Sequence, residues 1–363
     1  MQTRESLAVA RLATTLLAAL ALAFALLPAS HAAAAGFVGM TADDLLFNAG
    51  PYRDTNLALQ RQAGVQTLRV TFDWAGIEVA PNSFDFSNYD RYLREAAANG
   101  ISILPVLYNP PAFQSSRPSG GARRGVYPPA DFAAMGAWAA RLVDRYGPNG
   151  LLWQGHPNPK PITAWQIWNE PPLPFYWPPK PNARRYLELL RVVGGAIKAR
   201  DPSAEIVTAG LPDSRLRGAV RLTPFLKALY KGGGSSAFDT VAINSYAVNA
   251  RYLGKLVGTT RKLMNRIGGR RDAIWITELG WCDNGPKHRF CVGSKGQAKN
   301  ISASLKLIKK RRRAWKLHGF VLFSWRDAPR LRPDEWGYHT GLLTNTGRKK
   351  PAFKAFTRGV RGL

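Results

Sequence analysis

Short β-rich runs alternate with longer amphipathic stretches along most of this chain, and that rhythm constrains the fold more than any other feature. Each run is rich in Val, Ile, Thr or aromatic residues and is almost continuously apolar, as expected of strands covered on both faces. Strands separated by helices predict a parallel sheet, because parallel neighbours need a crossover between them. The runs occupy residues 36–40, 67–72, 101–107, 162–168, 204–209, 238–244, 272–277 and 319–325.

Eight successive repeats predict an α/β fold, a (β/α)8 TIM barrel, as a single domain over residues 35–363. The stretches between the runs end at residues that typically terminate helices, for example at Gly147 and before Pro202. The alternative is a doubly wound open sheet, which usually carries G-x-G-x-x-G after its first strand. The stretch G-F-V-G-M-T at 36–41 lacks that motif, and the barrel is therefore preferred.

The first 34 residues predict a secretory signal peptide. Arg4 and Arg11 lie before or at the start of the uncharged apolar run 12–27, and small residues follow it. A basic segment, an apolar segment and a small-residue cleavage site are typical of such peptides, and cleavage is expected near 32–35. An uncleaved anchor is the alternative, although 16 apolar residues are short for a bilayer span. We therefore expect a secreted or extracellular protein.

The chain contains two cysteines, Cys282 and Cys291, nine positions apart in a polar stretch. In an oxidising compartment such a pair most simply forms a local disulfide. Two free thiols are the alternative. A metal site is disfavoured because the two cysteines and the nearby His288 lack a fourth ligand, and we expect neither a metal nor a cofactor.

The net charge is unusually positive, with 51 Lys and Arg against 23 Asp and Glu, or +28. Such a charge favours anionic partners, among them acidic glycans, cell-wall polymers, membrane surfaces and nucleic acid. The basic residues are spread along the sequence, and the densest run, 309–313, falls in an expected helix where a solvated face is the simplest interpretation. No nucleic-acid recognition motif accompanies it, so specific binding of nucleic acid is not predicted. The charge favours an anionic glycan substrate or retention at the cell surface, and a monomer is expected.

Two glutamates follow β-rich runs where barrel enzymes carry their function. Glu170 ends the sequence W-N-E after the fourth run, and Glu278 lies in T-E-L-G-W after the seventh. The carboxyl ends of barrel strands form the active face, so both side chains are expected at one mouth. Glycoside hydrolysis needs two carboxyls, one to protonate the leaving oxygen and one to attack or to activate water. A lone glutamate could instead cap a helix or pair with arginine, but the pair favours catalysis.

These two motifs, W-N-E-P and T-E-L-G-W, resemble the signatures of the clan A retaining glycoside hydrolases. Within the clan the sequence is most similar to family 39, with family 5 next. The resemblance implies that Glu170 is the general acid and base and that Glu278 is the nucleophile. Retaining enzymes hold these carboxyls roughly 5 Å apart.

The resemblance also implies roles for other residues around the mouth. Asn169 would hydrogen-bond the sugar 2-hydroxyl, and Arg69 would lie beside the nucleophile. Tyr246 would hydrogen-bond the nucleophile, and Trp325 would form the floor of the subsite at the cleavage point. Further side chains in the exit loops are candidates for either sugar contact or packing: Trp74, Tyr108, Asn109, Trp177 and Trp281.

The sequence also departs from the clan pattern. Asn244 stands where many members carry a histidine two residues before the tyrosine, and Tyr108 or Asn109 replaces another after the third strand. The proline-rich stretch 171–181 predicts a stiff wall of a substrate cleft, or else a rigid connector. All five histidines fall elsewhere, at 31, 156, 288, 318 and 339.

The sequence therefore predicts a secreted retaining glycosidase of a polysaccharide or oligosaccharide, and it leaves the glycan, the linkage and endo or exo action open. A transglycosylase, a non-catalytic carbohydrate-binding barrel and a basic adhesion protein are the alternatives.

Overall fold

Eight parallel strands close into a barrel in the computed structural model, which describes residues 36–120, 125–328 and 331–363. Each strand pairs in parallel with the next along the chain, and the last pairs with the first. This closure confirms the (β/α)8 prediction and excludes the open sheet. The predicted signal peptide, residues 1–34, lies outside the described residues. The barrel strands are β1 (Val38–Thr41), β2 (Thr67–Asp73), β3 (Ser102–Tyr108), β4 (Ala164–Ile167), β5 (Glu205–Val207), β6 (Thr240–Asn244), β7 (Ala273–Leu279) and β8 (Leu317–Leu322).

Eight longer helices alternate with the strands, as the amphipathic stretches predict. Several begin at side-chain caps: the carboxylate of Asp131 and the amides of Asn182 and Asn249 accept backbone N–H groups of the first turn. The helices are α1 (Pro51–Ala63), α2 (Ser87–Ala98), α3 (Phe132–Tyr146), α4 (Ala183–Arg200), α5 (Leu222–Lys231), α6 (Ala250–Arg266), α7 (Gly293–Trp315) and α8 (Pro351–Gly359). None of the helices in the described ranges combines the length and apolarity that a membrane span requires.

Short elements lie in the connections between the strands and the helices. Leu211–Pro212 continues the fifth strand position and pairs with β6, and Glu78–Ala80 forms a small hairpin with Ser83–Phe84. Helical turns cover Asp44–Phe47, Trp74–Ile77, Ala112–Gln114, Leu151–Trp153, Gly234–Ser236 and Trp336–Thr340.

The core has two layers. The larger hydrophobic cluster fills the space between the strands and the surrounding helices. A smaller, separate cluster is contributed by five consecutive strands, β3 to β7, and therefore lies inside the barrel. It consists of Leu104, Ala164, Val207, Ala242 and Trp275. This packed interior makes the barrel a rigid support, so the residues at the strand exits are held in fixed positions.

Candidate active site

The exit of β4 turns sharply, and that turn orients Asn169 and Glu170. Trp168 and Glu170 both have positive φ, 74° and 42°, although neither is glycine. Each such residue costs roughly 1–3 kcal/mol and persists only where its surroundings hold it. The Trp168 indole donates to the Tyr176 carbonyl at 2.7 Å, and the Tyr186 hydroxyl donates to the Ile167 carbonyl at 2.9 Å. These bonds fix the turn from both sides.

Glu278, at the exit of β7, receives a donor on each carboxylate oxygen. Arg69 Nη1 donates to Oε1 at 3.0 Å, and the Tyr246 hydroxyl donates to Oε2 at 2.6 Å. Burial raises the pKa of Tyr246 well above its ordinary value, so this hydroxyl stays a donor. An adjacent guanidinium and two charge-assisted hydrogen bonds suit an ionised carboxylate.

Arg69 joins three strands through one guanidinium group. Its Nε donates to Gln166 Oε1 at 2.7 Å and its Nη2 donates to Asn169 Oδ1 at 2.9 Å, in addition to the bond to Glu278. The residue is buried, so it needs these partners. The rigid fork of an arginine therefore links the residue before Glu170 to Glu278.

Glu170 lies in a different environment, and no cation of the described residues is hydrogen-bonded to it. Asn244 Nδ2 donates to Glu170 Oε1 at 2.7 Å, and Thr277 in turn donates to Asn244 Oδ1 at 2.9 Å. Burial, and then the negative charge of Glu278, raise the pKa of Glu170 to about 8, while the Asn244 bond and Arg69 oppose the shift. A carboxyl that stays protonated at neutral pH can donate a proton.

A third carboxyl, Asp43, was not predicted and lies just past β1. Burial raises its pKa to about 6, the Arg69 charge lowers it, and Glu278 is close enough to raise it. Asp43 lines a cavity of about 180 Å³ between the loops after β1 and β8, together with Thr41 and Phe323. One Asp43 oxygen and the Thr41 hydroxyl have no hydrogen-bond partner among the described residues. Asp43 therefore places a third carboxyl close to the Arg69–Glu278 pair and beside this cavity.

Aromatic rings also surround Tyr246 at the mouth. Trp336, Phe290 and Phe323 approach its ring at centroid distances of 4.9, 5.8 and 6.2 Å. The structure joins Cys282 to Cys291 with an S–S bond of 2.05 Å, and Phe290 directly precedes the second cysteine. Half-buried aromatic rings at a barrel mouth can stack on sugar rings.

The structure corrects the placement of Trp325. The side chain is fully buried, its indole donates to Asn56 in α1 at 2.9 Å, and its ring contacts Phe353 in α8 at 5.9 Å. It therefore packs between the barrel and the helices and cannot form the floor of a subsite. The half-buried Phe323, two residues earlier, lines the cavity instead.

Three more predicted tryptophans also serve packing. Trp74 is buried, stacks on Trp138 at 5.2 Å and donates to Glu78. Trp281 is buried and donates to the Ala247 carbonyl, and Trp177 is buried between Trp168 and Tyr186. None of the three is available to stack on a sugar. The indole rings of these tryptophans pack below the mouth of the barrel and do not line it.

Tyr108 stays at the mouth, next to the exit of β4. Its half-buried ring lies 5.0 Å from Trp168 and 6.1 Å from Tyr176, and its hydroxyl has no hydrogen-bond partner among the described residues. Asn109 instead bonds to Asp73 at 2.7 Å. Phe175, in the proline-rich loop, is half exposed next to Tyr176. The side chains of this loop therefore continue the surface that begins at Tyr108.

One group of described residues has the spacing of metal ligands, but a lysine already occupies it. Oxygen and nitrogen atoms of Asp283, Asp327 and His339 lie within 4.8 Å of one another. The Lys350 ammonium donates to Asp283 at 2.7 Å and to Asp327 at 2.6 Å. This buried ion triad ties the start of α8 to the loops after β7 and β8, and a metal ion would have to displace the ammonium.

Five residues of the site were not predicted from the sequence, although sequence features could have identified some of them. Asp43 lies three residues past the first β-rich run and Phe323 lies near the end of the eighth, so both fall near strand exits, where Glu170 and Glu278 were identified. Asn244 attracted notice only as a departure from the clan pattern. Two others carried no local signal, since they meet the site only through folding: Gln166 and Trp336.

Comparisons with solved structures agree with this architecture. The fold matches a family 39 glycoside hydrolase from Bacteroides cellulosilyticus WH2 with a TM-score of 0.65 and 19% identity, over 89% of this chain and 63% of that one. It matches a monomeric β-xylosidase from Caulobacter crescentus CB15 with a TM-score of 0.65 and 16% identity, over 91% and 69%. An endo-β-1,4-mannanase from Thermotoga petrophila gives a TM-score of 0.61 and 15% identity, over 90% and 76%.

These matches confirm the (β/α)8 barrel, a fold that this chain shares with glycoside hydrolases, one of them of family 39. The chain spans less than two thirds of the length of the Bacteroides protein. No family model matches the chain, and no curated protein matches it in sequence.

Proposed function

We propose that this protein is a retaining glycoside hydrolase in which Glu170 is the acid and base and Glu278 is the nucleophile. One observation carries the proposal: two glutamates share a barrel mouth in opposite environments. Glu278 is held by Arg69 and Tyr246, as an anionic nucleophile requires. Glu170 is buried with a pKa of about 8, as a proton donor requires.

The first chemical step would form a glycosyl-enzyme ester. A Glu278 carboxylate oxygen attacks the anomeric carbon while the bond from that carbon to the leaving oxygen breaks. Glu170 transfers its proton to the leaving oxygen, so the departing sugar leaves as a neutral alcohol. The negative charge moves from Glu278 to Glu170.

The second step would reverse these roles. The Glu170 carboxylate takes a proton from water, whose oxygen attacks the anomeric carbon and displaces Glu278. Two displacements at one carbon leave its configuration unchanged. If a sugar hydroxyl enters in place of water, the same intermediate gives transglycosylation.

The surrounding residues would orient these groups. Asn169 is held by Arg69 next to Glu170, in a position to hydrogen-bond the sugar 2-hydroxyl. Asp43 and the cavity it lines would bind the sugar at the cleavage point by accepting its hydroxyl hydrogens. Because Asp43, Glu170 and Glu278 are all acidic, we propose a sugar without a carboxylate at this position, although the net charge of the chain favours an anionic glycan.

The substrate class follows from the neighbours in the fold and from this mouth. A β-xylosidase and an endo-β-1,4-mannanase share the barrel, and we propose a β-linked polysaccharide or oligosaccharide of uncharged sugars at the cleavage point. We further propose a secreted monomer whose signal peptide is cleaved near residues 32–35, consistent with the disulfide.

The proposal is tested with a panel of xylan, glucan, mannan and uronic acid polymers, given to wild type and to the Glu278→Gln variant. Product length is read by chromatography, and product configuration is followed by NMR before mutarotation. Glu188→Gln, on the outer face of α4, is the matched control and should keep full activity. We expect release of sugars with retained configuration by wild type and the control only.

Other outcomes reject the assignment. Equal release by Glu278→Gln would exclude this nucleophile, and inverted products would exclude the retaining mechanism. Binding of a glycan without release would favour the non-catalytic barrel, and products longer than the substrate would indicate a transglycosylase.

A further inference from the structure

Three adjacent helices on one side of the barrel, α6, α7 and α8, carry basic residues and no acidic ones. There are five Lys or Arg on α6, eight on α7 and two on α8. Helices α1 to α4 each carry at least one acidic residue, whereas α5 carries two lysines and no acidic residue. Helix α7 packs against both α6 and α8, so the three form one continuous surface, which we call the basic face. The basic residues that are spread out in sequence are therefore concentrated in space.

Six exposed side chains form a stripe along α7. With 100° of rotation per residue, they fall within about one third of the helix circumference. The first and last lie 18 residues apart, and the stripe is therefore about 27 Å long at 1.5 Å per residue. Its members are Lys295, Lys299, Lys306, Lys309, Lys310 and Arg313.

Helix stability alone does not explain this stripe. Cations are favourable in the last turn, which accounts for the carboxyl-terminal end of α7. The same dipole makes Lys295, in the first turn, unfavourable, and like charges four residues apart, such as Lys295 and Lys299, repel. None of the basic side chains on α6, α7 and α8 forms an ion pair with another described residue. Apart from the buried Arg261, which donates to backbone carbonyls, these residues therefore present uncompensated positive charge to solvent.

We propose that the basic face binds a carboxylated polysaccharide whose chain lies along the α7 stripe. A linear stripe of point charges matches an extended polyanion better than a compact anion. Tyr252 is the only large apolar side chain that is exposed on these helices, so the face lacks the apolar anchors with which proteins enter membranes. The choice of a polysaccharide among polyanions rests on the proposed function, because a glycosidase works within a glycan matrix.

This assignment separates two tasks on one barrel. The acidic mouth would cleave a chain that is uncharged at the cleavage point, while the basic face would hold the enzyme on anionic polymer of the same matrix. Binding at the face does not require turnover at the mouth, and the two can be tested separately.

The test measures binding of fluorescently labelled polygalacturonate by anisotropy at low and at physiological salt. All proteins carry Glu278→Gln, so that hydrolysis cannot change the probe. The stripe variant replaces Lys299, Lys306, Lys309 and Lys310 by Gln, which keeps helix propensity. The matched control replaces Arg91, Arg94, Lys227 and Lys231 by Gln, which are exposed on α2 and α5 and change the net charge equally.

We expect the stripe variant to bind about tenfold more weakly at low salt and to depend less steeply on salt, because it loses adjacent charges that act together. The control should lose about twofold or less. Equal losses in both variants would show that net charge rather than this face is responsible, and would overturn the proposal. Tighter binding of the wild-type face to duplex DNA or to phosphatidylglycerol vesicles than to polygalacturonate would overturn the assigned partner. Circular dichroism establishes that each variant is folded.

Discussion

The exits of β4 and β7 both present a glutamate, but the two side chains are held by different means. Glu278 has a guanidinium and a phenol on its two oxygens. Glu170 has one neutral amide donor and is otherwise surrounded by protein, and its pKa rises to about 8. The two carboxyls also act on each other, since the charge of Glu278 helps to keep Glu170 protonated.

In the proposed mechanism, environment rather than residue type distinguishes the acid from the nucleophile. Arg69 connects the two environments. It donates to Glu278 and to Asn169, and its third bond, to Gln166, fixes the guanidinium from inside the barrel. The comparison therefore predicts that equivalent substitutions at the two exits have unequal consequences.

Removal of either carboxyl should give the largest losses of kcat/KM, and added azide should distinguish the acid and base from the nucleophile. Glu278→Ala should lower kcat/KM by about 10⁴-fold or more, because the attacking group is lost. Glu170→Ala should lower it by about 10²–10⁴-fold, and far less with an aryl glycoside whose leaving group needs no proton. Azide should rescue both variants, with retained configuration for Glu170→Ala and inverted configuration for Glu278→Ala. The opposite configurations, read by NMR, would exchange the two assignments.

Arg69 should be the next most sensitive position. Arg69→Lys should lower kcat by about 10²-fold, because a lysine cannot hold Gln166, Asn169 and Glu278 at once. The effect should appear mainly in kcat, with KM changed little. Arg261→Lys is the control and should leave kcat unchanged, because this buried arginine of α6 donates to the carbonyls of Gly269 and Asp272, before the start of β7 and away from the mouth. A loss confined to KM would assign Arg69 to ground-state binding instead.

Replacing the two glutamates by glutamine should change the stability of the protein in opposite directions. Because the folded pKa of Glu170 is raised, its stabilising contribution is complete below the unfolded pKa and is lost as pH rises through about 8. Glu170→Gln should therefore raise Tm relative to wild type at pH 9. Glu278→Gln leaves the buried Arg69 without its anionic partner and should cost about 1–3 kcal/mol at pH 7. Calorimetry measures both, and equal signs at pH 9 would contradict the comparison.

The parts of the site that sequence could predict are those fixed by strand order. Alternating runs predict the barrel, and the barrel places Glu170, Glu278, Arg69 and Asn169 at one mouth whatever the details of the loops. The contact of Tyr246 with Glu278 was predicted from the resemblance to the clan rather than from strand order, and the structure places its hydroxyl on Glu278.

The tryptophans show why the rest could not be predicted. Trp74, Trp281 and Trp325 all lie at strand ends, where a side chain can point to the mouth or to the helices. A shift of one residue exchanges these directions, and only packing decides between them. Asn56 and Phe353 hold Trp325 on the helix side, and neither contact is visible in the sequence near β8. Trp336 lies in the loop after β8 and contacts Tyr246, which follows β6. No local sequence pattern predicts a contact between residues so far apart in the chain.

The smallest predicted effect concerns the amide that touches Glu170. The hydrogen bond from Asn244 lowers the pKa of Glu170, so Asn244→Ala should raise that pKa and move the alkaline limb of kcat/KM to higher pH. We expect a displacement of about one pH unit or less, because one neutral hydrogen bond is lost. Thr277→Val is the control: it removes the donor to Asn244 Oδ1 and leaves the Asn244 bond to Glu170 in place. It should move the limb less than Asn244→Ala does. Loss of the alkaline limb in Glu170→Gln would establish that Glu170 causes it. If the limb then moves to lower pH in Asn244→Ala, water replaces the amide with stronger donors, and burial alone does not set the pKa of Glu170.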